Sequence, residues 1–353
     1  MPLPGPCRTA AALFLLLAPT LVAATDVAVL LPQSGRMSRA AEAIQDGLLA
    51  AYYQDSARAS DSPTLHFYDS DSAPVLALLQ QAAADGAGVV IGPLDRERVE
   101  ALVQAGPLPL PVLALNSAEG DAGNLLEFAL APEDEIARLV QWMGEQGVRR
   151  PLALAGSDDA SQRQLRLFQA AWQRQHPAAA AVAALEPARK GGIAVAVKNL
   201  LAGPAARADA LFLATPALAP QVQPALTYYR SALPLYSLAS AWEPGADASG
   251  LNDVDGLHFC DQPWMLEAHR PEQEALYAAQ PRPAGGYDRL YAFGADAWSL
   301  LQQRDALQAG ERLSLRTGEV WLEAGSTVRR QPTCAEVRNG SVFPVRPERG
   351  SGG

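Results

Sequence analysis

Residues 26–54 constrain this chain more than any other stretch: a five-residue apolar run, Val27–Leu31, passes through Pro32-Gln33-Ser34-Gly35 into an amphipathic segment. A run with no polar interruption is covered on both faces, which suits the centre of a parallel sheet. Met37, Ala40, Ala41, Ile44, Leu48 and Leu49 then recur at helical spacing. In an open α/β sheet, the loop joining such a strand to its helix opens onto the crevice where ligands bind.

The unit repeats along the chain. Thr64–Asp69, Gly88–Pro93, Pro111–Asn116 and Leu126–Leu130 read as strands. Helices start near Pro74, over Asp95–Gln104 and at Pro132-Glu133-Asp134-Glu135, whose three carboxylates suit a helix's positive end. A second series has strands at Leu152–Ala155, Ala208–Thr215 and Leu235–Leu238, with helices around Arg163–Trp172, Ile193–Ala202 and Pro216–Arg230. Alanine-rich sequence over 178–208 offers few boundaries. Repeated βα units of this size imply an α/β fold of two Rossmann-like lobes.

After Tyr236 the rhythm breaks. Residues 242–253 are loop-like, Gly256–Asp261 is a strand, and Tyr287–Gln303 is a long helix. Arg316–Arg346 is a run of short strands, with turns at Gly318, Gly325 and Asn339-Gly340. Segments returning to both lobes imply a multi-strand hinge. The expected division is lobe 1 at 25–131 plus about 255–312, and lobe 2 at 132–254 plus about 313–346, followed by a disordered tail at 347–353.

The N-terminus reads as a signal peptide over residues 1–24. Arg8 supplies positive charge, Ala10–Ala18 is an apolar core too short to span a bilayer, and Val22-Ala23-Ala24 offers small residues for cleavage. Cys7 precedes the apolar core, so it makes no lipobox, and a soluble periplasmic protein is expected. Without Arg8, 27 basic residues face 38 acidic ones, a net charge of −11. That balance disfavours nucleic acid and anionic lipid as partners. No later apolar run is long enough to be a transmembrane segment.

Catalysis finds little support. The chain has no G-x-S-x-G, S-x-x-K or H-E-x-x-H, and no glycine-rich phosphate loop. Its four histidines, His66, His176, His258 and His269, are scattered, so no metal and no cofactor is expected. Asp69 and Asp71 read as caps for the helix near Pro74, since two carboxylates make a poor calcium site. In an oxidising compartment Cys260 and Cys334 are expected to form a disulfide. It would restrain hinge motion if Cys260 lies at a lobe crossing. Trp242, Trp264 and Tyr287 could anchor an interface or fill space between lobes, and for Trp264 the core reading is preferred.

Several segments, in order, resemble the LppC family of penicillin-binding protein activators. They are Val27–Pro32 with Ser34-Gly35, Ile44-Gln45-Asp46-Gly47, Val90-Ile91-Gly92-Pro93-Leu94, Leu113–Asn116 and Phe128–Glu135. Gly256–Trp264, Arg289–Ala297 and Thr317-Gly318-Glu319-Val320 follow. The resemblance implies a type I periplasmic-binding-protein fold used as a non-enzymatic regulator. Family members of known role dock onto a bifunctional class A peptidoglycan synthase and stimulate cross-linking, so such a synthase is the implied partner. Well-studied members are outer-membrane lipoproteins with a helical-repeat domain ahead of this fold, whereas here the fold follows the leader directly. Thr333-Cys334 also stands where relatives tend to carry an aromatic residue.

A cleft between the lobes would be lined by loops at the strand ends: Gln33, Ser34, Gly35 and Arg36; Gly92 and Asp95; Asn116 and Ser117; Ser157 and Asp158. Relatives of this fold that bind amino acids hold the ligand carboxylate with hydroxyls and helix N-terminal amides. Leu94-Asp95 fits that use poorly, because a carboxylate there repels an anion. Asp95 and Asp158 are expected to cap helices, which leaves Ser34 and Arg36 as the better candidates for a small ligand. The alternative function is a solute-binding receptor feeding a transporter or sensor.

Overall fold

Successive residues of the first strand bury on opposite faces: Val27, Val29 and Leu31 join one apolar cluster, Ala28 and Leu30 another. This is what a run of five apolar residues with period two produces when helices cover both sides. The structure, a computed structural model, describes residues 25–345, apart from 60–61, 121, 177–179, 188–189, 244–247, 268–269 and 324. The expected leader and the tail at 347–353 lie outside the described residues.

The first lobe begins with β1 (Val27–Leu31), α1 (Ser38–Ser56), β2 (Leu65–Asp69), α2 (Val75–Ala84), β3 (Val89–Ile91), α3 (Arg96–Ala105), β4 (Val112–Ala114) and β5 (Leu125–Phe128). The chain then crosses over. The second lobe holds α4 (Pro132–Glu145), β6 (Pro151–Ala155), α5 (Asp159–Gln175), β7 (Ala181–Ala184), α6 (Gly192–Ala202), β8 (Ala210–Leu213), α7 (Ala219–Tyr228), β9 (Leu235–Ser237), α8 (Ala248–Asn252) and β10 (Leu257–Asp261). After α9 (Pro263–Leu266), the helices α10 (Pro271–Ala279), α11 (Asp288–Gln302) and α12 (Arg304–Gln308) lead back to the first lobe, where α10 and α11 pack on α1. β11 (Leu313–Leu315), β12 (Gly318–Leu322) and β13 (Thr327–Gln331) follow, then β14 (Thr333–Arg338) and β15 (Ser341–Pro344).

The first sheet runs β11-β12-β13-β5-β4-β3-β1-β2 and the second β15-β14-β10-β9-β8-β6-β7. Each has a parallel centre with an antiparallel extension at one edge. In the second sheet Leu152 and Leu154 face one cluster while Ala153 and Ala155 face the other, repeating the logic of β1. The two Rossmann-like lobes expected from the βα rhythm are therefore present, with three crossings, after β5, after β10 and between β13 and β14.

The returning strands distribute differently from the expected division. β10, placed with lobe 1 at about 255–312, pairs with β9 in the second sheet. β11 to β13, placed with lobe 2 at about 313–346, extend the first sheet through β13 and β5. Each sheet offers a free edge next to its last parallel strand, and backbone pairing satisfies either one, so local sequence carries no address. The alanine-rich stretch hides β7, and a helix at 271–279 also escaped the sequence reading.

Candidate functional site

At the first crossing, Pro132 opens α4 and places Glu133, Asp134 and Glu135 in its first turn. Three carboxylates at the positive end of a helix are locally favourable, and the fold turns one of them, Asp134, to lobe-to-lobe use. Asp134, buried, faces β13 of the other lobe: Arg329 Nη1 lies 3.4 Å from Oδ1, and the Arg330 N–H donates to Oδ2 at 3.3 Å. Burial pushes the Asp134 pKa up against the opposing pull of Arg330 and Arg329. Glu135 accepts from the Ala239 N–H. Burial, and secondarily the negative charge of Asp261, push its pKa up to about 7, with the Ala239 N–H and nearby arginines resisting.

A second tie lies at the next crossing. Asp261, the last residue of β10, receives Arg289 of α11 through Nε at 3.0 Å and Nη2 at 2.6 Å. The Trp242 indole donates to the same carboxylate at 3.1 Å, and the Arg289 guanidinium lies 5.8 Å from the Trp242 ring centre. Gln262 reaches back to the Arg289 carbonyl at 3.2 Å. A bidentate guanidinium–carboxylate pair whose acid is 3% exposed is strong and directional.

Beside these ties an interlobe cleft of about 570 Å³ opens between the loop after β4, the start of α3, the start of α4 and β13. Its ionisable lining is mostly paired within the protein. Glu133 meets Arg163 at 3.4 Å, Asp134 meets Arg329, and Glu127 accepts the Ala118 N–H at 2.8 Å. Such a site holds its polar groups in place. The described histidines lie elsewhere: His66 is 3.3 Å from Asp26, His176 stacks on Trp172, and His258 packs on the rings of Trp142 and Tyr236, while His269 lies outside the described residues. Among the described residues no cluster of three His, Cys, Asp or Glu could hold a metal ion.

Of the residues expected around a cleft, Asn116 and Ser117 line this cavity. Asn116 donates to the Leu94 carbonyl at 3.0 Å and accepts the Ser117 N–H at 2.9 Å, so part of its capacity shapes the loop. Gln33, Ser34, Gly35 and Arg36 are exposed and lie outside it. The Gln33 N–H is held by Asp69 Oδ1 at 3.1 Å. Gly92 is there for space: a Cβ would come 2.1 Å from the Leu30 carbonyl oxygen. Asp95 caps α3 through the Glu97 N–H, and Asp158 caps α5 through the Ser161 N–H and hydroxyl, as expected of both. Ser157, beside it, is exposed and outside the cavity.

Asp69 and Asp71 depart from their expected capping of α2. Asp69 ties the loop after β1 to the end of β2, and Asp71 pairs with Arg98 at 3.0 Å. Pro74 itself stands at the cap position with no side-chain bond. Sequence reading missed Arg96, Glu119, Arg163 and Arg329 in the cleft. Only the acidic run at 133–135 gave a local signal, and it was explained by the helix end alone. Trp242 and Trp264 are buried, so neither is an exposed anchor. Cys260 and Cys334 stand opposite one another on β10 and β14 and form the expected disulfide.

Residues 4–340 match the family model described as "LppC putative lipoprotein". Among curated relatives, penicillin-binding protein activator LpoA of Pectobacterium parmentieri is 30% identical over 82% of this chain and 49% of its own length. The LpoA of Haemophilus influenzae is 27% identical over 91% of this chain and 55% of its own. The chain thus spans about half the length of the curated relatives it matches. The solved C-domain of Haemophilus influenzae LpoA, described as "a regulator of PBP1A", superposes with a TM-score of 0.76 at 25% identity, over 91% of this chain and 100% of that one. A "putative branched-chain amino acid ABC transporter" from Chromobacterium violaceum gives 0.72 at 28% identity, over 88% of this chain and 99% of that one. With the periplasmic-binding architecture in both lobes and a family match that covers nearly the whole length, the chain belongs to the LppC family.

Proposed function

We propose that this protein is a non-enzymatic regulator that binds a class A penicillin-binding protein and stimulates its peptidoglycan synthesis. The observation that carries the reading is the superposition, over the full length of that domain, on the LpoA C-domain described as a regulator of PBP1A. The site chemistry agrees with it: the cleft's acids are largely engaged in ion pairs and hydrogen bonds within the protein, as suits a body that presents a surface. Stimulation would follow from binding the active conformation of the synthase more tightly than the inactive one. A periplasmic location accompanies the role, and no helix among the described residues is long and apolar enough to cross a membrane.

A second reading, a receptor for a small solute, is favoured by the 28% identity to the Chromobacterium violaceum protein and by the cleft volume. The deciding experiment measures glycan polymerisation and cross-linking by a cognate class A synthase with and without this protein. A saturable rise in rate is the expected result. An unchanged rate with folded protein and no co-purification of the synthase, together with calorimetric binding of a branched-chain amino acid, would replace the regulator by the receptor.

A further inference from the structure

On the other side of the α4 N-terminus from the cleft lies a groove of about 560 Å³, walled by α4 and α5 of one lobe and by β12 and β13 of the other. Its size falls within the roughly 300–1,000 Å³ typical of small-ligand sites. Arg138, Arg174, Arg312, Arg329 and Arg330 line it, against the acids Glu133, Asp134 and Glu323. This is a local positive excess on a chain whose net charge is −10.

These arginines are not equally engaged. Arg329 is held by Asp134 and by Glu323 at 2.7 Å, and Arg138 by Glu145 at 3.3 Å. Arg312 lies 4.2 Å from the Trp321 ring centre, with Glu319 at 3.6 Å. Arg330 differs: it is 7% exposed, its Nε has no hydrogen-bond partner, and its side chain donates to nothing among the described residues. Asp134 and Glu135 lie near enough to feel its charge but accept none of its side-chain hydrogens. Arg174, exposed on α5, likewise has no ion-pair partner among the described residues. A guanidinium cannot shed its proton, so a largely buried one whose Nε lacks a partner carries a desolvation cost that an anionic acceptor on the guanidinium would offset.

We infer that this groove is a binding site for a small oxyanion-bearing ligand, its carboxylate or phosphate group received by Arg330 and Arg174 beside the Arg312–Trp321 pair. The planar fork of Arg330 selects an acceptor with two coplanar oxygens, and Trp321 offers an apolar surface for the body of the ligand. The groove is distinct from the interlobe cleft, with which it shares only Glu133, Asp134 and Arg329 as a wall. The assignment goes beyond the regulator reading and stands whether or not a synthase is the partner.

Calorimetric titration of the whole protein with glutarate and, separately, with inorganic pyrophosphate tests it, with tryptophan fluorescence as a second readout. Saturable binding that weakens with added salt is expected. Arg330→Met should lose about tenfold in affinity, Arg174→Ala severalfold, and Arg166→Ala, on α5 outside the groove, nothing. Binding of glutarate alone would identify a carboxylate ligand, and binding of pyrophosphate alone a phosphate. Absence of saturable binding by either probe, or binding unchanged in both Arg330→Met and Arg174→Ala, would overturn the assignment. Should Arg330→Met lose its native circular dichroism, Arg174→Ala and Arg312→Ala decide the question.

Discussion

Glu135 shows how one residue can serve local structure while costing global stability. In the unfolded chain it titrates near 4.5, and in the folded protein at about 7. An acid with a raised folded pKa takes up a proton on folding, so its favourable contribution is complete below the unfolded pKa and is lost as pH rises through the folded one. The loss amounts to about 3 kcal/mol between those limits. Glu135→Gln keeps a carbonyl oxygen for the Ala239 N–H and removes the charge. Urea unfolding should therefore find variant and parent equally stable near pH 4.5, and the variant more stable by about 3 kcal/mol above pH 7. A constant difference across that range would mean that Glu135 is not buried as described.

Helices α1 and α11 meet backbone to backbone. A Cβ on Gly47 would lie 1.8 Å from the Tyr291 carbonyl oxygen, and one on Gly294 would lie 1.8 Å from that of Ile44. The two glycines thus lock reciprocally, which gives a physical reason for glycine at these points of the family-like segments 44–47 and 289–297. Neither wall is a side chain that can swing away. Gly47→Ala and Gly294→Ala should each cost about 3 kcal/mol by forcing the helices apart, measured as a lower urea midpoint at unchanged slope. A change smaller than the error of the midpoint would refute the close approach. The strands β10 and β14 meet a different constraint: the Cys260–Cys334 bond closes a loop with a sequence separation of 74 and joins two of the three crossings close to the hinge. Replacing both cysteines by serine should cost up to roughly 4 kcal/mol on the chain-entropy view. Stability unaffected by the double substitution, or by reductant, would sink that expectation.

At the scale of the molecule, two ionic ties among the described residues span the lobes, Asp134 with Arg329 and Asp261 with Arg289. Both lie beside the chain crossings, where the polypeptide itself joins the lobes. Combining Asp134→Asn with Arg289→Met should enlarge the radius of gyration in solution scattering and speed amide exchange at 129–132, 262–263 and 331–333. An unchanged scattering profile would show that apolar contact and the disulfide hold the lobes without these pairs. The same geometry bears on the regulator reading, because a partner that prefers one interlobe angle is felt through these ties.

The doubly wound architecture was legible in the sequence because strand and helix periodicity are local. Val27–Leu31 and Leu152–Ala155 declare two-sided burial residue by residue, and Pro132 with three acids declares a helix start. Asp95 and Asp158 could be read as caps for the same reason, since a cap and its N–H partner lie within one turn. The cleft and the groove were not legible. Arg329 and Arg330 come within reach of Asp134 across 195 and 196 positions of sequence. Gly47 looks like any helical glycine until α11 arrives beside it. Which sheet β10 and β13 would join was equally hidden, because both lobes offer an open edge to an incoming strand. Sequence alone thus determined the elements and their class, through interactions within a turn or a strand. The tertiary structure decided which charges face each other between lobes, because that pairing depends on where three distant crossings bring the chain back.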